Sequence, residues 1–157
     1  MHPSLEAYLS AQTFFAGLSP EFIAFLASRA RERRIEPGQV LFRQGEHARH
    51  FYLIRDGRIA IEIPALTGPT LTVQSLGPGQ ILGWSWLIPP YRWSFQARVE
   101  ETAVLLEFDG DAVLAHCEAD TAFGYALLKR FAALMSERLE VARQRMMAQW
   151  SLPPGFG

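Results

Sequence analysis

The sequence predicts a mainly β domain, a roll or sandwich of short strands with helices at both ends. Three observations predict it. Between residues 35 and 109, short apolar runs of strand character alternate with glycine-bearing turns. Ahead of that stretch lies a helical pattern with its own start signal, and residues 110–150 read as helix with no proline. The 157 residues suffice for one domain with a real core, since a chain of this size hides roughly 70% of its unfolded surface.

Residues 1–34 read as N-terminal helices. Leu18 leads into Ser19-Pro20-Glu21, which supply an N-cap, a proline at the first helical position and an acid in the first turn. Phe22, Phe25, Leu26 and Arg29 then share one face. The run Arg29-Ala30-Arg31-Glu32-Arg33-Arg34 reads as a solvated helix end whose cations complement the macrodipole. A nucleic-acid patch is the sharper reading of that run, and the net charge of −1 lends it no support.

In the middle zone the strand candidates are residues 40–42, 51–54, 59–63, 71–73 and 104–106. Asp56-Gly57 joins two of them and predicts a hairpin, because a type I′ turn needs positive φ at both central residues. From Asp120 to about Trp150 the sequence predicts one long helix. Ala132, Met135, Leu139, Ala142, Met146 and Gln149 recur at 3-4 spacing, with Glu137, Arg138, Glu140, Arg143 and Arg145 off that seam. Two readings stay open: a helix packed on its own roll, or one paired with a second copy. Pro153-Pro154-Gly155 ends the helix.

Composition narrows the function. With 49% apolar and 20% charged residues the chain is globular, and near-zero net charge disfavours autonomous DNA binding. A lone cysteine, Cys117, excludes an internal disulfide and a thiolate zinc or iron–sulfur site, and burial is its expected role. No apolar run approaches the ~18 residues of a membrane span. The first basic residue is Arg29, so no secretory signal is expected and the cytoplasm is the expected compartment. His47 and His50 stand three apart, on opposite faces of an extended segment, so no metal site is expected. Without a nucleophile elbow, P-loop or dinucleotide fingerprint, no enzyme is expected. Residues 100–120 carry Glu100, Glu101, Glu107, Asp109, Asp111, Glu118 and Asp120 with no Lys or Arg, read as solvated strand ends and helix N-caps.

The order of elements, with particular tokens, resembles a known family. The tokens are Phe15-x-x-Leu18-Ser19, Pro37-Gly38-Gln39-Val40-Leu41-Phe42-x-x-Gly45-Glu46, Phe51-Tyr52-Leu53-Ile54-x-x-Gly57-x-Ile59 and Leu76-Gly77-Pro78-Gly79-Gln80-Ile81-Leu82-Gly83. Their order and spacing are similar to the cyclic-nucleotide-binding domain, the sensor half of bacterial Crp/Fnr-like regulators. The resemblance covers nearly the whole chain and implies a single domain over residues 1–157. Its fold would be an eight-stranded β-roll of the jelly-roll or double-stranded β-helix type, with N-terminal helices and one long C-terminal helix.

The resemblance also implies a site. In that family a phosphate-binding cassette presents backbone N–H groups and one arginine to the cyclic phosphate, and a glutamate accepts from the ribose. The corresponding stretch here is residues 83–94, in which Gly83 and Arg92 match. Trp84 stands where the family has its acid, and Trp93 where a small residue follows the arginine. An indole offers one donor and no acceptor, so Trp84 cannot do the glutamate's work. Candidate ligand-binding residues are Gly83, Trp84, Ser85, Arg92, Trp93 and Ser94. Either Trp84, Trp86, Tyr91 and Trp93 fill the vacated cavity, or they wall a remodelled pocket in which Arg92 anchors a cyclic nucleotide or another planar anion.

The expected function is a stand-alone sensor module with an altered pocket that relays to a partner protein, without direct nucleic-acid or membrane contact. The alternative is a ligand-independent scaffold with a filled pocket. Homodimerisation is expected through Ala132, Met135, Leu139, Ala142 and Met146. Only residues 151–157 follow the long helix, so the winged helix-turn-helix of the regulators is expected to be absent.

Overall fold

The computed structural model describes residues 4–64 and 67–150. Two short helices, α1 (Leu5–Ser10) and α2 (Pro20–Ser28), flank a 3-10 turn at Thr13–Phe15. Among the described residues six strands follow, β1 (Ala30–Ile35), β2 (Val40–Phe42), β3 (His50–Ile63), β4 (Leu71–Leu76), β5 (Ile81–Leu82) and β6 (Gln96–Asp109), instead of the eight that the resemblance implies, with β3 and β6 each running unbroken for 14 residues. Helices α3 (Gly110–Ala119) and α4 (Thr121–Trp150) complete the order. All pairings are antiparallel, in the order β1-β6-β3-β4, with β2 added to β6 and β5 to β3. This is the mainly β roll with flanking helices that the sequence predicts. Among the described residues no helix is long and apolar enough to cross a membrane. The 153–155 helix stop lies outside the described residues.

The capping signals act as read. The Ser19 hydroxyl accepts from the Phe22 N–H at 3.3 Å, and the carboxylates of Asp109 and Asp120 accept at the starts of α3 and α4. The arginine run corrects the expectation of a helix reaching Arg34. Helix α2 stops at Ser28, and residues 30–35 form β1 along β6. The two-residue strand period puts Arg31 and Arg33 on one face, where both reach the Glu107 carboxylate, at 2.7 and 2.5 Å. Glu107 is therefore buried beneath two guanidinium groups rather than solvated, as its place in the acidic stretch suggested.

Asp56-Gly57 is a second correction. It makes no hairpin turn; β3 continues through it, unbroken, for 14 residues. Gly57 is buried with φ of +91°, and the β3–β6 register shifts on either side of it. A Cβ there would lie 2.3 Å from the Thr102 carbonyl oxygen, so β6 also demands a glycine. The positive φ is spent on a bulge, which bends the long strand pair and helps the sheet close into a roll.

An aromatic cluster fixes α4 on the roll. The rings of Phe51 and Phe108 stack at 4.5 Å, and Phe131 of α4 meets Phe51 edge-on at 5.4 Å. Trp86 completes the cluster, 4.8 Å from Phe51 and 5.3 Å from Phe131. Farther along, Phe25 of α2 stacks on His116 of α3 at 3.9 Å, and Phe123 of α4 packs edge-on against both. These contacts hold the first third of α4 and set the line along which its later turns cross the roll.

Candidate functional site

A cavity of about 210 Å³ lies between the roll and α4. Its floor is apolar: Phe42 from β2, Ile61 from β3, Val73 from β4 and Leu82 from β5. The loop after β5 contributes Gly83, Trp84, Ser85, Trp93 and Ser94, and Phe95 follows them. Met135, Arg138, Leu139 and Ala142 of α4 close the other side.

Gly83, at the mouth of the loop, has φ of +99°, and a Cβ there would lie 2.7 Å from Trp93 Cη2. The outer edge of the Trp93 indole thus lies against the glycine, and the ring stacks on Phe42 at 3.7 Å and 11°. Trp86 turns away from the cavity into the core and donates its indole N–H to the Gly83 carbonyl at 3.2 Å. One tryptophan therefore fills part of the roll, one belongs to the core, and Trp84 remains half-buried on the cavity wall.

The structure brings five of the expected ligand residues to one cavity and leaves Arg92 out of its lining. Arg92 is exposed, donates to the Gly45 carbonyl at 3.0 Å and pairs through its backbone with His47. The loop that carries it is clamped to the Gly45–Ala48 turn: the Gly45 and Ala48 N–H groups donate to the carbonyls of Trp93 and Tyr91, and the Trp93 N–H donates to Glu46. Tyr91 takes a left-handed φ of 60° in this clamp, which directs the next side chain outward. No ion pair joins Arg92 to Glu100 or Glu101 among the described residues.

The guanidinium in the cavity wall is that of Arg138, which the sequence placed only as a charge off the seam. It donates to the Ile81 carbonyl and lies 5.6 Å from the centre of the Trp84 ring. Burial pulls its pKa down to about 10, only partly countered by the adjacent Glu137, so it stays charged at neutral pH. A sequence signal existed: Arg138 stands three residues after Met135 and four before Ala142, so it shares the helix face that those two turn to the cavity.

Of the expected seam, Met135, Leu139 and Ala142 line the cavity, while Ala132 and Met146 are exposed. The Gln149 side chain lies outside the described residues. Cys117 is half-buried, and burial lifts its thiol pKa to about 11, so it is not a reactive thiolate. Among the described residues, no group of three His, Cys, Asp or Glu side chains is placed to hold a metal ion.

Comparison with known proteins agrees with the geometry. Residues 32–120 match the family model of the cyclic nucleotide-binding domain. The chain is 42% identical over 77 residues to the acetyltransferase Pat of Mycolicibacterium smegmatis, covering 49% of this chain and 23% of that protein. It is 30% identical over 104 residues to the cyclic AMP receptor protein of Thermus thermophilus, covering 66% of this chain and 48% of that one. The chain thus spans a half or less of these two relatives. A solved chain from Geobacter metallireducens superposes with a TM-score of 0.79 at 28% identity, over 88% of this chain and 99% of that one. From the roll with its glycine-led loop, the helix across its mouth and the matched sequence, the chain belongs to the cyclic nucleotide-binding domain family.

Proposed function

We propose that the chain is a sensor module. A small ligand held between the roll and α4 is read by that helix, passed to a second copy through the helix seam, and relayed to a partner protein. One observation carries this reading. Met135, Leu139 and Ala142 line the cavity and also belong to the 3-4 seam, so one strip of α4 faces both a ligand and a pairing surface. Leu139 is 71% exposed and Met146 59% exposed in the single chain, and exposed Tyr125 and Leu128 extend the same spacing upstream. An apolar row of this length on a water-facing helix supports self-association.

The pocket is altered from the family pattern. Trp84 offers no acceptor to a ribose hydroxyl, and Arg92 points away from the cavity. Cyclic AMP and cyclic GMP therefore bind weakly or not at all in this reading. Direct DNA and membrane contact are no part of it; a net charge of −1 offers phosphate little attraction. The filled-pocket scaffold is favoured by the Trp93–Phe42 stack, but about 210 Å³ remains open beside that stack.

A thermal-shift screen of cyclic nucleotides and planar anions tests the proposal. A ligand at 100 times its Kd adds about 2.7 kcal/mol, enough to raise the melting temperature by several degrees. The sensor predicts such a ligand among the non-nucleotide anions. If no compound moves the melting temperature, the scaffold reading replaces it.

A further inference from the structure

We infer that the cavity takes a small aromatic monocarboxylate, its ring held among the aromatic side chains and its carboxylate bound by Arg138 of α4. The inference deepens the sensor reading and rests on it. Four features carry it. First, Arg138 makes no ion pair: among the described residues its contacts are the Ile81 carbonyl and the Trp84 ring. A guanidinium has five N–H donors, so several are left for a ligand, in a fork that fits a carboxylate. A half-buried cation whose charged neighbour, Glu137, makes no ion pair with it favours any anion that can reach it.

Second, the walls suit a flat apolar body. Trp84, Trp93, Phe42 and Phe95 border the space, and Leu82 and Val73 fill the gaps between them. Third, the polar groups are few. Among the described residues of the lining, Gln74, Ser85 and Ser94 are the uncharged polar side chains besides the indole N–H groups, and no acid is among them to accept from sugar hydroxyls. Fourth, the volume is small. At about 210 Å³ it falls below the roughly 300 Å³ at which pockets for drug-sized molecules begin. One cation, aromatic walls and this volume together select a compact monoanion over a sugar phosphate. Because the anchor sits on α4, the ligand's charge acts directly on the helix that carries the seam.

The probes are 2-naphthoate and its neutral counterpart 2-naphthamide, titrated by calorimetry against the full chain at pH 7. The expected result is saturable binding of the carboxylate below about 0.3 mM, in the range that size alone permits. The amide should bind about tenfold or more weaker, as loss of one charge-assisted bond implies. Arg138→Gln should weaken 2-naphthoate about ten- to a hundredfold and bring it level with the amide, whereas Arg92→Gln should leave both within about threefold of wild type. Equal affinity of the two probes for the wild type overturns the inference without any variant, so a poorly folded Arg138→Gln protein would not shield it. Loss on Arg92→Gln, or no binding of 2-naphthoate at about 1 mM, overturns it as well. If 2-naphthoate fails while another anion raises the melting temperature, the inference falls and the sensor reading stands. If every anion fails, both fall.

Discussion

Glu107 shows how one side chain can hold two strands to a roll. Burial alone pushes its pKa up, but hydrogen bonds from Arg33 and Arg31 outweigh that, and the net shift is downward. Glu62 is depressed too, chiefly by the Arg98 guanidinium at 2.7 Å, despite its burial. An acid whose folded pKa lies below its unfolded value stabilises fully above the unfolded pKa and loses that contribution as pH falls through the folded one. Stability should therefore hold from pH 7 to about 5 and decline below about 4.3, the ordinary glutamate value. Glu107→Gln should cost about 1–3 kcal/mol at pH 7 and flatten the acid limb, because the partners Arg31 and Arg33 are left reaching for a neutral group. Urea titrations of both proteins at pH 7 and pH 3.5 check this; an unchanged acid limb in the variant would refute it. At the same scale, five of the six residues that the sequence singles out line the cavity, and the cation among its lining residues is Arg138, not Arg92. By their chemistry alone Trp84 and Trp93 point to the altered pocket proposed above. That Arg92 turns outward depends on the left-handed Tyr91 and the clamp to residues 45–48, which are tertiary facts.

Among the elements, those whose signal is local were legible and those set by a distant partner were not. The Ser19-Pro20 start of α2 and the long proline-free α4 could be read because capping and periodicity act within a few residues. Strand β1 could not, since Ala-Arg-Glu-Arg-Arg-Ile shows no apolar alternation and becomes a strand only by pairing with β6. Asp56-Gly57 carries the composition of a turn, yet the glycine serves a bulge because β6 continues alongside. Gly57→Ala should destabilise by about 1–3 kcal/mol from its backbone conformation alone, with the overlap at the Thr102 carbonyl adding to that. Thermal denaturation measures it, and a loss near zero would deny the bulge its role. For α4, pairing across Ala132, Met135, Leu139, Ala142 and Met146 predicts a dimer at tens of micromolar that Leu139→Asp converts to monomer, since a lone carboxylate would be buried in the seam. Sedimentation velocity decides it: a monomeric wild type rules out the seam.

At the scale of the whole molecule, the roll supplies a cup, α4 closes one side of it, and the proposed reading makes that helix the element that senses the contents. The aromatic cluster of Phe51, Phe108, Trp86 and Phe131 fixes α4 at its start, while Met135, Arg138 and Leu139 meet the cavity farther along. A ligand there touches both the roll and the helix, so occupancy and helix position are linked free energies. The family fold is retained, and on the proposed reading the residue at the ribose position and the placement of the arginine have changed. Replacing the ribose acceptor should alone cost about 1.5–3 kcal/mol, one to two decades in affinity, and the bulk of Trp84 and Trp93 adds to that. The account rests on this being a ligand cavity turned away from cyclic nucleotides, and the most direct measurement is calorimetric titration of cyclic AMP into the wild type and Arg92→Ala. The account predicts no saturable heat from either protein at up to about 100 µM nucleotide. Micromolar binding to the wild type that Arg92→Ala abolishes would contradict it, because the family's ordinary pocket would then be working with its arginine and without its acid.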